Sequence, residues 1–273
     1  GVEAFRRPFG AVTMPTTHLP SPSVDLARAI EALRAELTVN AGRIAALVLE
    51  PLVQGAGGMR MYDAEYLREA RRLTEQFDVL LIVDEVFTGY GRTGTFWAVD
   101  RAPIVPDVIA TAKGLSGGLL PFAATLVSDR VYRGFLGTSD RAFYYGHTFC
   151  GNPLGAAVAL EVLRIYEDEQ VLERAERTAA RLAATFERLG KLPGVASSRS
   201  LGVCAALTLR EDAGYLAGLG WKVYERALER GVYARPLGNV VYLTPPLNID
   251  EADAEELCST LELCVREVLE QGA

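Results

Sequence analysis

The chain has 273 residues, with 28 Lys and Arg against 35 Asp and Glu, for a formal charge of −7. That length holds one large domain or two smaller ones with chain to spare for a core, and 49% hydrophobic with 23% charged residues excludes a disordered or collagen-like polypeptide. There is no basic tail or arginine run to speak for a nucleic-acid partner, and no run of about 18 uncharged apolar residues to speak for a membrane.

The chain opens Gly1-Val2-Glu3-Ala4-Phe5-Arg6-Arg7, with neither an initiator Met nor an apolar signal core, so a fragment or processed product is expected. Cys150, Cys204, Cys258 and Cys264 form no C-x-x-C pair, which suggests neither a zinc ribbon nor a disulfide framework and fits a reducing cytoplasm. Cys258 and Cys264, six residues apart on one expected helix, fall on different faces. His18 and His147 are the only histidines, too few for a His-rich metal centre, and neither has a convincing triad context.

In chain order, apolar residues at helical spacing (Leu26, Ile30, Leu33, Leu37) predict a helix over 24–37, with the preceding Ser-Pro-Ser as its cap. The run 45–49 reads as a strand covered on both faces, 63–77 as an amphipathic helix, and 79–83 as a second buried strand ending at Asp84. Further strands are expected at 107–111 and 122–127, and helices from 152 to about 189. A strand follows near 204–209, a helix at 214–230, strands near 232–235 and 240–243, and a helix at 250–269. The first half therefore reads as strand–helix–strand units of a mostly parallel sheet, and the second as a smaller α+β part. The boundary falls around Glu167–Val171, giving a first domain of residues 1–168 and a second of 169–273.

Ligands of a parallel sheet bind at the carboxyl ends of its strands. Asp84 stands at such an end, where a carboxylate either caps the core or functions. Gly89-Tyr90-Gly91-Arg92-Thr93-Gly94 matches G-x-G-x-x-G, but Pro103 and Pro106 leave no room for the long helix a dinucleotide site requires, so that reading is rejected. Lys113 follows a second apolar strand and runs into Gly114-Leu115-Ser116-Gly117-Gly118. It is either a solvated surface lysine or a desolvated amine fit for a Schiff base. Gly146-His147-Thr148-Phe149, before Gly151-Asn152-Pro153, is either a helix-entry turn or an anion site. Arg235, before Pro236-Leu237-Gly238, suits a carboxylate or an exposed ion pair.

Taken together, Glu50-Pro51-Leu52-Val53-Gln54-Gly55-Ala56-Gly57-Gly58-Met59, Asp84-Glu85-Val86, Gly91-Arg92-Thr93-Gly94, Lys113 and Gly146-His147-Thr148 resemble the class-III pyridoxal-phosphate aminotransferases in order and spacing. The resemblance covers nearly the whole chain. It implies a fold-type-I α/β architecture whose first strands are missing, and a homodimer acting on small-molecule substrates. It implies that Lys113 is the Schiff-base lysine, that Asp84 holds the cofactor's pyridine nitrogen, and that Val86 covers one ring face. Thr148 contacts the phosphate of the neighbouring subunit's cofactor, with His147 beside it. Arg235 holds a substrate carboxylate, with Gly146, Tyr242 and Arg92 near the same pocket, although the glycine turn around Arg92 suits a structural role equally well. The family's glycine–serine phosphate loop and ring-stacking aromatic have no counterpart in these residues. Ornithine-type branches carry a glutamate where Ala56 stands and pair it with an arginine near Tyr242. Both look absent, which disfavours a glutamate-dependent reaction.

Overall fold

The computed structural model describes residues 6–210 and 218–271. The start of the chain (1–5) and the first residues of the helix expected at 214–230 lie outside them.

Helix α1 (Leu26–Val39) buries Ala29, Leu33 and Leu37 on one stripe. Its cap is Asp25, whose carboxylate accepts the Arg28 N–H at 2.9 Å, and not the Ser-Pro-Ser segment, because only Asp25 directly precedes the first turn in extended conformation. Strand β1 (Ala46–Leu49) leads into a hairpin of two short strands, β2 (Val53–Gln54) and β3 (Arg60–Met61), and then helix α2 (Ala64–Gln76), capped by Asp63. Strands β4 (Leu80–Asp84), β5 (Val108–Thr111) and β6 (Ala124–Val127) complete a sheet of order β1-β4-β5-β6.

The β1–β4 and β4–β5 pairs are parallel, as the long connections between them require. The β5–β6 pair is antiparallel, with Val108 opposite Val127 and Thr111 opposite Ala124. Central β4 carries Leu81 and Val83, both fully buried. The expected burial of the first strand on both faces is not found: β1 is an edge strand, and Val48 on it is 64% exposed. A short apolar run looks the same at an edge as in the middle of a sheet.

After a short helix α3 (Asp129–Gly134), the long helical region divides at Gln170 (φ 49°) into α4 (Pro153–Asp168) and α5 (Val171–Gly190). The C-terminal part then forms an antiparallel sheet of β7 (Val195–Ser200), β8 (Ala205–Leu209) and β9 (Val240–Leu243), against α5, α6 (Leu219–Glu229) and α7 (Glu251–Gln271). Strand β7 carries Ser197, Ser198 and Ser200, an apolar-poor stretch whose strand character periodicity does not reveal. Residues 232–235 are not a strand. They alternate buried Val232 and Ala234 with exposed Tyr233 and Arg235, but form no ladder.

Core packing on α5 comes from Val171, Ala175, Leu182, Phe186 and Leu189, one helical stripe. Cys258 and Cys264 both enter this same core, because α7 packs against both α5 and α6. All four cysteines are unpaired, with Cys150 alone exposed. Among the described residues no helix is long and apolar enough to cross a membrane.

Candidate active site

Three adjacent strands end side by side. The register pairs Leu49 with Val83 and Asp84 with Ala110, so β1 leaves the sheet at Glu50, β4 at Asp84 and β5 just before Lys113. Asp84 is half-buried, and its Oδ1 accepts the Val86 N–H at 3.0 Å, which folds the chain back over the strand end. The next residue, Glu85, is fully buried and turned into the core. There it accepts the Thr88 hydroxyl at 2.5 Å and the Val99 N–H at 3.1 Å. Burial lifts its carboxyl above the usual range, and those bonds oppose the lift. Glu85 is thus a brace for the turn, and Asp84 stays half-buried at the strand end.

Lys113 opens a single 3-10 turn at φ 44°, a left-handed conformation that costs a non-glycine residue about 1–2 kcal/mol. Strain of this kind collects at functional positions. Its ammonium lies 5.6 Å from the centre of the Phe87 ring. The desolvation expected from the preceding apolar run does not occur, for Lys113 is exposed: the buried strand stops at Thr111, and the turn carries the side chain out of the sheet. The adjacent Gly114 is needed for a close approach, since a Cβ there would meet the Tyr90 ring at 2.7 Å. Tyr90 is held in turn by Thr111, whose hydroxyl donates to its phenol oxygen at 3.1 Å, and by Tyr166, whose hydroxyl donates to its carbonyl at 2.7 Å.

The glycine-rich stretch around Arg92 forms tight turns followed by a short 3-10 turn (Ala98–Arg101), in keeping with rejection of the dinucleotide reading. Arg92 spans the two halves of the chain: its Nη1 donates to the Val203 carbonyl at 2.9 Å and the Pro245 carbonyl at 2.8 Å. Arg199 does the same from the other side, donating to the carbonyls of Met59 at 2.5 Å and Gly58 at 2.6 Å. Cys204 lies near both arginines. Burial pushes its thiol up to about 11 against the pull of the two charges. Arg92→Ala is therefore expected to cost at least about 3 kcal/mol, the loss of two hydrogen bonds from a charged group at roughly 1.5–3 kcal/mol each. Urea unfolding measures that cost, and an unchanged midpoint would show that the clamp carries no stability.

Arg235 and Tyr242 line one cleft of about 450 Å³, with Tyr233, Pro245, Asp253 and Glu256. The Pro245 whose carbonyl Arg92 holds is part of that wall, so Arg92 reaches the cleft through the backbone. Gly146, His147 and Thr148 lie on an exposed stretch with local contacts. There His147 Nδ1 accepts the Phe149 N–H at 3.2 Å, and Cys150 N–H donates to the His147 carbonyl at 2.9 Å. The structure thus groups Asp84, Val86 and Lys113, and groups Arg235 with Tyr242. Glu50 joins the first group, a neighbour that sequence reasoning did not single out. The signal available for it was its position directly after an apolar strand, the same signal that marked Asp84.

The profile of the class-III aminotransferase family matches residues 2–265. The chain belongs to that family. An adenosylmethionine-8-amino-7-oxononanoate aminotransferase from Geobacter sulfurreducens is 36% identical, over 98% of this chain and 64% of the relative. One of the same name from Aquifex aeolicus is 34% identical, over 98% and 63%. The solved structure of the Methanocaldococcus jannaschii enzyme of that name superposes with a TM-score of 0.91 at 32% identity, covering 97% of this chain and 63% of that one. A thermostable omega transaminase variant engineered for synthesis of bulky amines superposes equally well, at 0.91 and 27% identity, over 100% and 65%. The chain thus spans somewhat under two thirds of the length of these relatives. The architecture is that of the fold-type-I transaminases.

Class-III aminotransferases use pyridoxal phosphate, and the strand-end group fits that cofactor. A carboxylate and an amine stand at neighbouring strand ends of one sheet, and half-buried Val86 follows the carboxylate by two residues.

Proposed function

We propose that this chain carries the catalytic lysine and the substrate-carboxylate arginine of an enzyme that transaminates 8-amino-7-oxononanoate to 7,8-diaminononanoate in biotin biosynthesis, with S-adenosylmethionine or lysine as amino donor. The observation that carries the reading is the juxtaposition of Asp84 and Lys113 at adjacent strand ends, in a chain that is 33–40% identical to relatives of that name. The proposal divides the chain into a cofactor-binding part (residues 1–168) and a small part (169–273).

Pyridoxal phosphate, when bound, supplies an electron sink that lets a proton leave the carbon bearing the amino group. Lys113 Nζ is the base that takes that proton and returns it. The Asp84 carboxylate holds the proton on the cofactor's pyridine nitrogen, and Val86 covers one ring face. Thr148, with His147 beside it and Gly146 before it, serves the phosphate of a neighbouring subunit in a homodimer. That role suits its exposure in the single chain, among exposed Phe143, Tyr144, Tyr145 and Phe149. A cytoplasmic enzyme fits the four free thiols.

The acceptor carries a carboxylate far along an apolar chain from its reacting ketone, so one fixed cation is needed at the remote end. Arg235 is exposed on the wall of the cleft, beside Tyr242, and its planar fork holds two oxygens at once. Arg235→Ala is expected to raise the acceptor KM about 10- to 100-fold, from the loss of about 1.5–3 kcal/mol, with donor half-reaction rates changed far less. An unchanged acceptor KM with a collapsed donor half-reaction would make Arg235 a donor or structural residue.

A second reading, another class-III ω-aminotransferase, is favoured by the equal superposition on the omega transaminase. A screen of amino donors with 8-amino-7-oxononanoate as acceptor separates the two. A third, a non-catalytic fragment, is tested by uptake of pyridoxal phosphate by the chain alone.

A further inference from the structure

Glu50 is not a solvated surface carboxylate. It is half-buried at the end of β1, and its Oε1 accepts the Gly55 N–H at 3.1 Å. Its backbone carbonyl is fixed separately, by the Tyr62 hydroxyl at 2.6 Å. The carboxyl and the Phe87 ring press on the same spot: a Cβ at Gly55 would lie 3.5 Å from Glu50 Oε1 and 3.3 Å from Phe87 Cδ1. Above that ring, 5.6 Å from its centre, stands the Lys113 ammonium. On the other side the β1–β4 register sets Glu50 next to Asp84. One side-chain oxygen is thus held by a single N–H, and the group lies between a negative and a positive neighbour.

The charges that act on Glu50 come from each strand end. Burial lifts its carboxyl above the usual range, the Gly55 N–H opposes this, the Asp84 charge adds to the lift, and the Lys113 charge draws it down. Tyr62 faces it as a buried phenol, itself held in the neutral form chiefly by burial. Glu85, next to Asp84 in sequence, is bonded into the core. Coulomb coupling is mutual, so whatever Lys113 and Asp84 do to Glu50, its charge does in return to the protons they hold.

We infer that Glu50 is a positioning residue whose carboxylate charge holds the proton on the Lys113 nitrogen and strengthens the hold of Asp84 on the cofactor's pyridine proton. This rests on the pyridoxal-phosphate reading of the same site. A purely structural Glu50 would act only through its bond to Gly55, and glutamine preserves that bond while removing the charge. Aspartate keeps the charge and draws it back by one methylene.

The test is a pH titration of the visible absorbance of the full chain loaded with pyridoxal phosphate, in wild type, Glu50→Gln and Glu50→Asp, with Lys113→Ala as the blank. Loss of a negative charge disfavours the protonated nitrogen. The midpoint in Glu50→Gln should therefore fall by about 0.5–1 pH unit, less than a directly bonded charge would give. Glu50→Asp should recover at least half of that fall, and thermal melting of all three should agree. A wild-type band present and lost in Lys113→Ala, with a midpoint unmoved in Glu50→Gln, overturns this inference alone. A wild-type chain that gains no lysine-dependent band overturns the functional reading, and this inference with it.

Discussion

Lys113→Ala is expected to abolish the lysine-dependent visible absorbance of the cofactor and to slow proton transfer in each half-reaction by at least about 10²–10⁴-fold, the range for loss of a positioned general base. Two features make Lys113 the residue to change. It stands one turn beyond the strand that pairs with the Asp84 strand, and it is held at φ 44°, where a lysine gains nothing in stability. Alanine keeps the same backbone strain, so folding should be little affected and the loss can be assigned to the amine. The two other lysines, Lys191 and Lys222, are both exposed on the C-terminal part, and neither should rescue the absorbance. Stopped-flow measurement of the donor half-reaction with the full-length enzyme supplies the rate. A variant that retains both absorbance and turnover would remove Lys113 from the site.

Asp107→Ala is expected to be strongly destabilising, at about 3–5 kcal/mol. Asp107 Oδ2 accepts from Arg71 Nη1 at 2.8 Å and from the Leu81 N–H at 2.9 Å, and both side chains are buried. It therefore ties helix α2 to β4, the strand that delivers Asp84. Removing the carboxylate takes the acceptor from the Leu81 N–H and leaves Arg71 with the exposed Glu75 at 3.2 Å and the Val105 carbonyl at 3.3 Å as its remaining partners. Burial by itself would raise the Asp107 carboxyl, but the Leu81 N–H and then Arg71 outweigh it and hold the group below the usual carboxylate range. A depressed carboxyl contributes stability above its unfolded pKa, near 4, and loses it as the pH falls through the lower folded value. The gap between wild type and Asp107→Ala in urea should thus be full at pH 7 and narrow steadily below about pH 4. A constant gap at both pH values would assign the cost to packing rather than to charge.

How much of this site was legible beforehand differs from residue to residue. Asp84 and Lys113 could be picked out because each follows a mainly apolar strand, and an ionisable group at that point needs a reason to be there. Glu50 follows a similar run, yet nothing local says that its strand is the neighbour of the Asp84 strand. Arg92 was ambiguous for the opposite reason. Its own surroundings suit a turn or a pocket, and only the partners 111 and 153 residues away, Val203 and Pro245, make it a clamp.

Sequence by itself determined most of the longer elements and the fold class, but not the short β2–β3 hairpin or the serine-bearing strand β7. Period-two and period-3.6 patterns, capping residues and strand-end ionisable groups are set by neighbours a few residues apart, and those neighbours are on the page before any folding occurs. Tertiary structure decided what depends on contacts distant along the chain: that β6 runs antiparallel to β5, that β1 is an edge with Val48 exposed, and that residues 232–235 stay unpaired. It also decided that Lys113 is exposed and that Arg235 shares a cleft with Tyr242. The physical reason is that burial and electrostatics at any position are summed over whatever the fold brings within a few ångströms, and local sequence contains only part of that sum.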